Sequence, residues 1–172
     1  MYNMYDSNNS SKACAFISSS LNELGIGYDF EGSRSVSMKL ILANYIIEMR
    51  KKGVRDFFSV CEEGVELWAA EIIVYFMRND PDIRLHCLIP YEEQAAKWPE
   101  CVREVYYTVL EEATDVTFIH RHYKEDCLLE ARQMAMEQCG NIFALMVYGK
   151  EREFVRCSEK TGRNLFAVGY SS

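Results

Sequence analysis

About five to six short apolar runs, each followed by a longer helix-patterned segment, predict an α/β chain with a mostly parallel sheet. The runs are apolar throughout rather than alternating, which is the pattern of strands covered on both faces. Glycine, proline and Asn-Asp punctuation falls between the segments. Together these observations read as a Rossmann-like, doubly wound sheet in a three-layer α/β/α domain.

Each element follows from its local pattern. The polar, Ser/Asn-rich segment 1–12 is expected to be frayed, and 13–172 to form one domain. Cys14–Ile17 is the first strand, followed by a loop holding Gly25, Gly27 and Gly32. Val36, Leu40, Ala43 and Ile47 mark a helix stripe closed by Gly53. Phe57–Cys61 is the second strand, and Val65–Met77 a helix ended near Asn79-Asp80-Pro81. Leu85–Ile89 is the third strand, stopped by Pro90. A helical stretch from Glu92 to Ala113 is split at Trp98-Pro99, and Val116–Ile119 is the fourth strand. Leu128–Cys139 reads as a helix and Ile142–Tyr148 as the fifth strand. Arg152–Lys160 is expected to be a short helix and Leu165–Val168 the sixth strand.

Composition narrows the function. The 172 residues carry a net charge of −7, and the longest basic run is Arg50-Lys51-Lys52 at a predicted helix end. There it complements the helix dipole. Nucleic acid and anionic membrane surfaces are therefore not expected partners. No apolar stretch reaches the length of a bilayer span, and no signal segment is visible, so a cytoplasmic protein is expected. The seven cysteines form no C-x-x-C pair and fall mostly in apolar runs, where they act as small hydrophobes. No metal and no cofactor is expected. The Val65–Met77 helix is apolar on nearly every side, which predicts a homodimer or larger assembly that covers it.

Doubly wound sheets bind ligands beyond the carboxyl ends of their strands. The loops to inspect are therefore Ser18–Asn22, Cys61–Gly64, Pro90–Gln94, His120–Lys124 and Gly149–Phe154. Two blocks of the chain resemble a known family. "GVELWAAE" (Gly64–Glu71) is similar to the G-V-D-x-W-A-A-E signature of the YpsA-like proteins. "DIRLHCLIPYEEQAAKWPE" (Asp82–Glu100) resembles the same family's strand, Pro-aromatic, Gln and Trp pattern. "REVYYTVLEEATDVTFI" and "YKEDC" continue the likeness, which covers about Cys14 to Tyr148. YpsA-like proteins belong to the SLOG superfamily, with the DNA-processing protein DprA and the Lonely Guy enzymes. The resemblance implies a Rossmann-type fold and a nucleotide or nucleotide-like ligand, which some superfamily members cleave.

Three departures weaken that implication. The family's Thr-Gly-His-Arg-Pro segment is replaced by "ISSSL" (Ile17–Leu21). Its Ser-Gly-Gly-like turn is replaced by "SVCEEG" (Ser59–Gly64), and its Gly-Gly-Thr segment by "GKEREF" (Gly149–Phe154). Of its Arg-Asn pair and Asp, only Arg132 is expected to keep a role.

The candidate pocket is Ser18, Ser19, Ser20, Glu62, Glu63, Gly64, Tyr91, Gln94 and Arg132. Glycine lets a phosphate turn adopt φ > 0 and lets the backbone approach the anion; Glu62 and Glu63 forgo both and add negative charge. With Glu66 they either cap and charge the helix start, sit where a phosphate would, bridge a Mg²⁺ ion, or act on a ligand without phosphate. Glu66 and Glu71 are the candidate catalytic carboxylates, Glu71 either facing the pocket or pairing with a cation such as Arg132. His120 and His122 share a strand side but have no obvious further metal ligands, so a solvated strand end is preferred. Three functions are expected in order: a ligand-binding or regulatory domain with degraded nucleotide loops, a nucleotide N-glycosidic hydrolase, and a protein-interaction module.

Overall fold

A computed structural model describes residues 11–147 and 161–170. The described residues form a six-stranded sheet of order β4-β3-β2-β1-β5-β6, with every neighbouring pair parallel. The strands are β1 (Ala13–Ser18), β2 (Asp56–Ser59), β3 (Arg84–Tyr91), β4 (Asp115–His120), β5 (Asn141–Val147) and β6 (Asn164–Tyr170). The helices are α1 (Ser33–Lys51), α2 (Val65–Met77), α3 (Glu100–Glu112) and α4 (Cys127–Glu137). The expected strand at Leu165–Val168 is thus β6, extended at both ends.

Alternation along the strands gives the layers. Cys14 and Phe16 of β1, with Phe57, Leu85, Cys87, Ile89, Phe143 and Leu145, meet α1, α2 and α3 in the main core. The intervening Ala13 and Ala15, with Phe58 and Leu88, face Ala135 and Cys139 at the α4 side. Three layers result, as the apolar strands predict. The chain winds outward from β1 through β2, β3 and β4, then returns to β5 on the other side of β1. The switch point lies between β1 and β5.

Several expectations are corrected. The stripe Val36, Leu40, Ala43, Ile47 does not face the core: Leu40 is 60% exposed and Val36 46%. Helix α1 carries a second stripe at helical spacing, Met38, Leu42, Tyr45, Ile46 and Met49, and this one is buried. Its larger side chains reach the aromatic cluster, where Tyr45 meets Phe143 at 4.9 Å and Phe16 at 6.2 Å. Pro90 does not stop β3, because proline's φ suits an extended chain and removes only one donor; Tyr91 still pairs with His120. Residues 92–98 form turns rather than a first helix, and α3 starts after Pro99. Arg50 and Lys51 do stand in the last turn of α1, as expected, and Arg50 Nε also lies 2.6 Å from Asp80.

Helix α2 spans the predicted residues. Its flanks pack on α1 and α3 and its inner face on β1, β2 and β3, so this chain covers much of it. Five cysteines, Cys14, Cys61, Cys87, Cys127 and Cys139, are buried and unbridged; Cys101 is exposed. The Arg152–Lys160 helix, the Gly149–Phe154 loop, Tyr148, Cys157 and the end of the chain before residue 11 lie outside the described residues. No helix among the described residues is long and apolar enough to cross a membrane.

Candidate functional site

The loops at the carboxyl ends of β1, β2 and β3 meet over the start of α2. The turn between β2 and α2 is built first. The Ser59 hydroxyl accepts the Cys61 N–H at 3.0 Å and donates to the Glu66 carbonyl at 2.9 Å. This holds Cys61 at φ 52°, a left-handed conformation that is uncommon for a side chain other than Gly, Asn or Asp. Gly64 follows at φ 103°, and a Cβ there would lie 2.6 Å from Leu21 Cδ2. The turn therefore keeps positive φ at its two ends, with Glu62 and Glu63 between them.

The three glutamates separate. Glu66 turns inward and is 2% exposed. Its Oε1 accepts the backbone N–H of Ser18 at 3.3 Å, and Arg132 grips it with both arms, Nε to Oε1 at 2.8 Å and Nη2 to Oε2 at 2.9 Å. Burial pushes the Glu66 carboxyl up, against the pull of Arg132 and the Ser18 N–H. Burial alone would lower Arg132, but Glu66 overrides it and holds the guanidinium charged. Glu62 reaches sideways, accepting from Gln94 Nε2 at 2.7 Å. Gln94 also donates to the Val60 carbonyl at 3.3 Å and accepts from the Tyr106 hydroxyl at 3.5 Å. Burial raises the Glu62 carboxyl to about 7, with Gln94 and Arg132 opposing and Glu66 and Glu63 assisting. Glu63 points outward to the Tyr28 hydroxyl at 3.0 Å. None of the three makes a side-chain cap on α2, but Glu66 stands in its first turn, so of the expected capping and charging only the charge is present.

The serines are engaged by the chain itself. Ser18 donates its hydroxyl to the Ser19 carbonyl. Ser19 bridges the switch point, its N–H to the Leu145 carbonyl at 2.9 Å and its Oγ accepting the Val147 N–H at 3.2 Å. Ser20 forms a capping box with Glu23, each reaching the other's backbone N–H, at 3.0 and 3.3 Å. Tyr91 stands at the rim, edge-on to Tyr123 at 5.5 Å.

Glu71 does not join this group. It lies five positions beyond Glu66, roughly 140° round the helix, and faces solvent. Arg132 pairs with Glu66, not with Glu71. Glu71 instead lines a cleft of about 400 Å³ between α2, α3 and the loop before α1, with Trp68, Phe30, Lys39 and Cys101. Trp68 is core, with the Lys39 ammonium 5.3 Å from its ring centre. His120 bonds Glu130 at 2.7 Å and His122 is exposed. No three metal-ligating side chains converge among the described residues.

Sequence reasoning missed Ser59 and Tyr28 as partners of the glutamates, and Tyr106 as a partner of Gln94. Tyr106 was visible only as part of the helical stretch Glu92 to Ala113. It also missed a charged cluster at the opposite, amino ends of the strands. His86 lies between Asp115, 2.6 Å from Nδ1, and Asp56, 2.8 Å from Nε2. Arg84 grips Asp56 at 2.8 and 2.9 Å, and Phe58 stacks on the imidazole at 4.5 Å.

Comparison with known proteins adds ancestry to this geometry. The model of the YspA SLOG family (YpsA) matches residues 19–158. A UPF0398 protein of Halalkalibacterium halodurans is 34% identical over 98 residues, 57% of this chain and 51% of that protein. A UPF0398 protein of Bacillus licheniformis is 33% identical over 104 residues, 59% of this chain and 56% of that protein. The UPF0398 protein YpsA of Bacillus subtilis is 27% identical over 133 residues, 76% of this chain and 72% of that protein. The matched part of the chain thus spans about half the length of the first two relatives.

Proposed function

Since the chain belongs to the YspA SLOG family, we propose that it is a ligand-binding or regulatory domain whose strand-end site takes a nucleoside-like ligand without phosphate. One observation carries this reading: the Glu66 carboxylate lies on the Ser18 N–H and is clamped by Arg132. A phosphate cradle needs unpaired N–H groups and an uncompensated cation. Here the protein's own carboxylate takes both. Glu62 and Glu63 add acceptors at the rim, which suit the hydroxyl and amino donors of a ribose or base and repel a phosphate.

A second reading rests on Glu62. A carboxyl raised to about 7 beside an ion-paired Glu66 has the protonation balance of a general acid at neutral pH. An N-glycosidic hydrolase in the manner of Lonely Guy-like relatives would then use Glu62, rather than Glu66 or Glu71, to protonate the leaving base.

Thermal shift against paired nucleosides and nucleotides, with and without Mg²⁺, tests the first reading. A ligand at a hundred times its Kd adds about 2.7 kcal/mol, which is about 5–10 °C for a domain of this size. Nucleosides are expected to shift the melting temperature, and their 5′-monophosphates to shift it less. A larger shift with the monophosphate overturns the reading. Release of free base, abolished by Glu62→Gln, would establish the hydrolase instead.

A further inference from the structure

Cys61 and Cys87 place their sulfurs 3.5 Å apart, with the Cys61 thiol donating to Cys87. Both are wholly buried, Cys61 in the turn two residues beyond β2 and Cys87 within the neighbouring β3, opposite Ser59. Cys61 occupies the left-handed position of the turn that presents Glu62, and Ser59 fixes it there. Nothing in the glutamate network uses either thiol. We propose that Cys61 and Cys87 are an oxidisable dithiol that closes to a disulfide under a peroxide such as hydrogen peroxide, linking the strand-end turn covalently to β3.

The chemistry balances. The Cys61 thiolate attacks one peroxide oxygen, the O–O bond breaks, and the sulfur becomes a sulfenic acid as the departing hydroxide takes up a proton to leave as water. The Cys87 thiolate then attacks that sulfur, the S–O bond breaks, and the hydroxide takes up the second thiol proton as water. Two thiols are oxidised, one peroxide is reduced, and two waters form. Cys61 reacts first because it lies in the turn leading to the half-buried Glu62, whereas Cys87 lies inside β3. The sulfurs must approach by about 1.5 Å to reach bonding distance, which the turn supplies more readily than the paired strand. Hydrogen bonding to Cys61, then burial, hold the Cys87 thiol well above its usual range, so closure is slow and follows opening of the turn.

Peptide mapping tests the pair. The folded chain is treated with hydrogen peroxide, denatured in iodoacetamide and digested. The expected product is a Cys61–Cys87 cross-linked peptide, lighter by two hydrogens than the two thiol peptides, which dithiothreitol converts back. Exposed Cys101 is oxidised separately and does not interfere with the map. In Cys87→Ser, the expected product is a Cys61 sulfenic acid captured by dimedone. Recovery of Cys61 and Cys87 fully alkylated, after Cys101 has consumed peroxide, overturns the proposal. So does a cross-link joining either cysteine to a third one. The wild-type map decides the question even if the variant does not fold.

Discussion

Glu62 makes stability depend on pH. Its folded value is about 7 against an ordinary 4.5, so the folded chain keeps a proton that the unfolded chain releases. Stability therefore falls as pH rises from about 4.5 to about 7 and is level above that. The shift corresponds to at most about 3 kcal/mol. Glu62→Gln is expected to flatten the difference between urea midpoints at about pH 5 and about pH 8. An unchanged difference would place the sensitivity elsewhere. His86 acts in the same direction by another route. Burial would lower it, but Asp56 and Asp115 raise it above 6.5. Its contribution is complete below 6.5 and is lost as pH rises through the folded value. Asp56 works at the other extreme. Burial would raise it, yet His86 and Arg84 hold it at about 2, so its stabilisation is lost only as pH falls from about 3.8 towards 2.

The Glu66–Arg132 pair gives a second test at this scale. Arg132→Met leaves a buried carboxylate without its cation and is expected to cost about 3–5 kcal/mol. Adding Glu66→Gln removes that charge while keeping an acceptor for the Ser18 N–H, and is expected to recover more than half the loss. Denaturant midpoints of the single and double variants measure it. Arg132 was legible in the sequence as a surviving cation, and Glu66 as a family position. Their pairing was not, because Glu71 offered the same charge on the same helix. Only the rotation of α2 about its axis separates the two.

At the scale of elements, Gly64 carries the sharpest prediction. Gly64→Ala meets both the backbone strain of φ 103° and the Leu21 side chain. A loss of about 3 kcal/mol is expected, read as a lowered denaturation midpoint. Leu21→Ala in the same chain should relieve the contact and leave the strain, so recovery should be partial. Helix α1 shows why a face is harder to read than a helix. Two apolar stripes share its length, and periodicity alone does not rank them. The exposed one, Val36, Leu40 and Ile47, is an apolar surface separate from the α2 face on which the dimer expectation rests. If the chain is a dimer through this stripe, Leu40→Lys should make it monomeric by light scattering. A monomeric parent chain removes the dimer expectation. Glu62 and Glu63 forgo positive φ, as expected, and Gly64 keeps it. The added left-handed residue is Cys61, whose identity gives no hint of it.

For the whole molecule, the alternation of apolar runs and helices was enough to reach a doubly wound sheet. Every described strand lies within about two residues of its predicted position. The strand order was not legible, since no local pattern records which strand lies beside which. The His86 cluster stayed hidden for that reason: Asp56 and Asp115 begin β2 and β4, His86 is the third residue of β3 between them, and only sheet pairing brings them together. The site was legible as a set of loops because the strand carboxyl ends follow from the fold class. Its chemistry was not, because it depends on where side chains turn.

The strand order also governs how the chain is made. β1 is completed on one side by β2 and on the other by β5, whose Asn141 side chain reaches back to the Ala13 carbonyl across 128 residues. On the ribosome, β1 to β4 are synthesised, with α1, α2 and α3, before β5. At ordinary elongation rates, on the order of a few seconds separate β4 from β5. During that interval β1 presents a bare backbone edge at what will become the centre of the sheet. The nascent half-sheet is therefore the species most exposed to strand-to-strand aggregation, and the one a holding chaperone has most reason to meet.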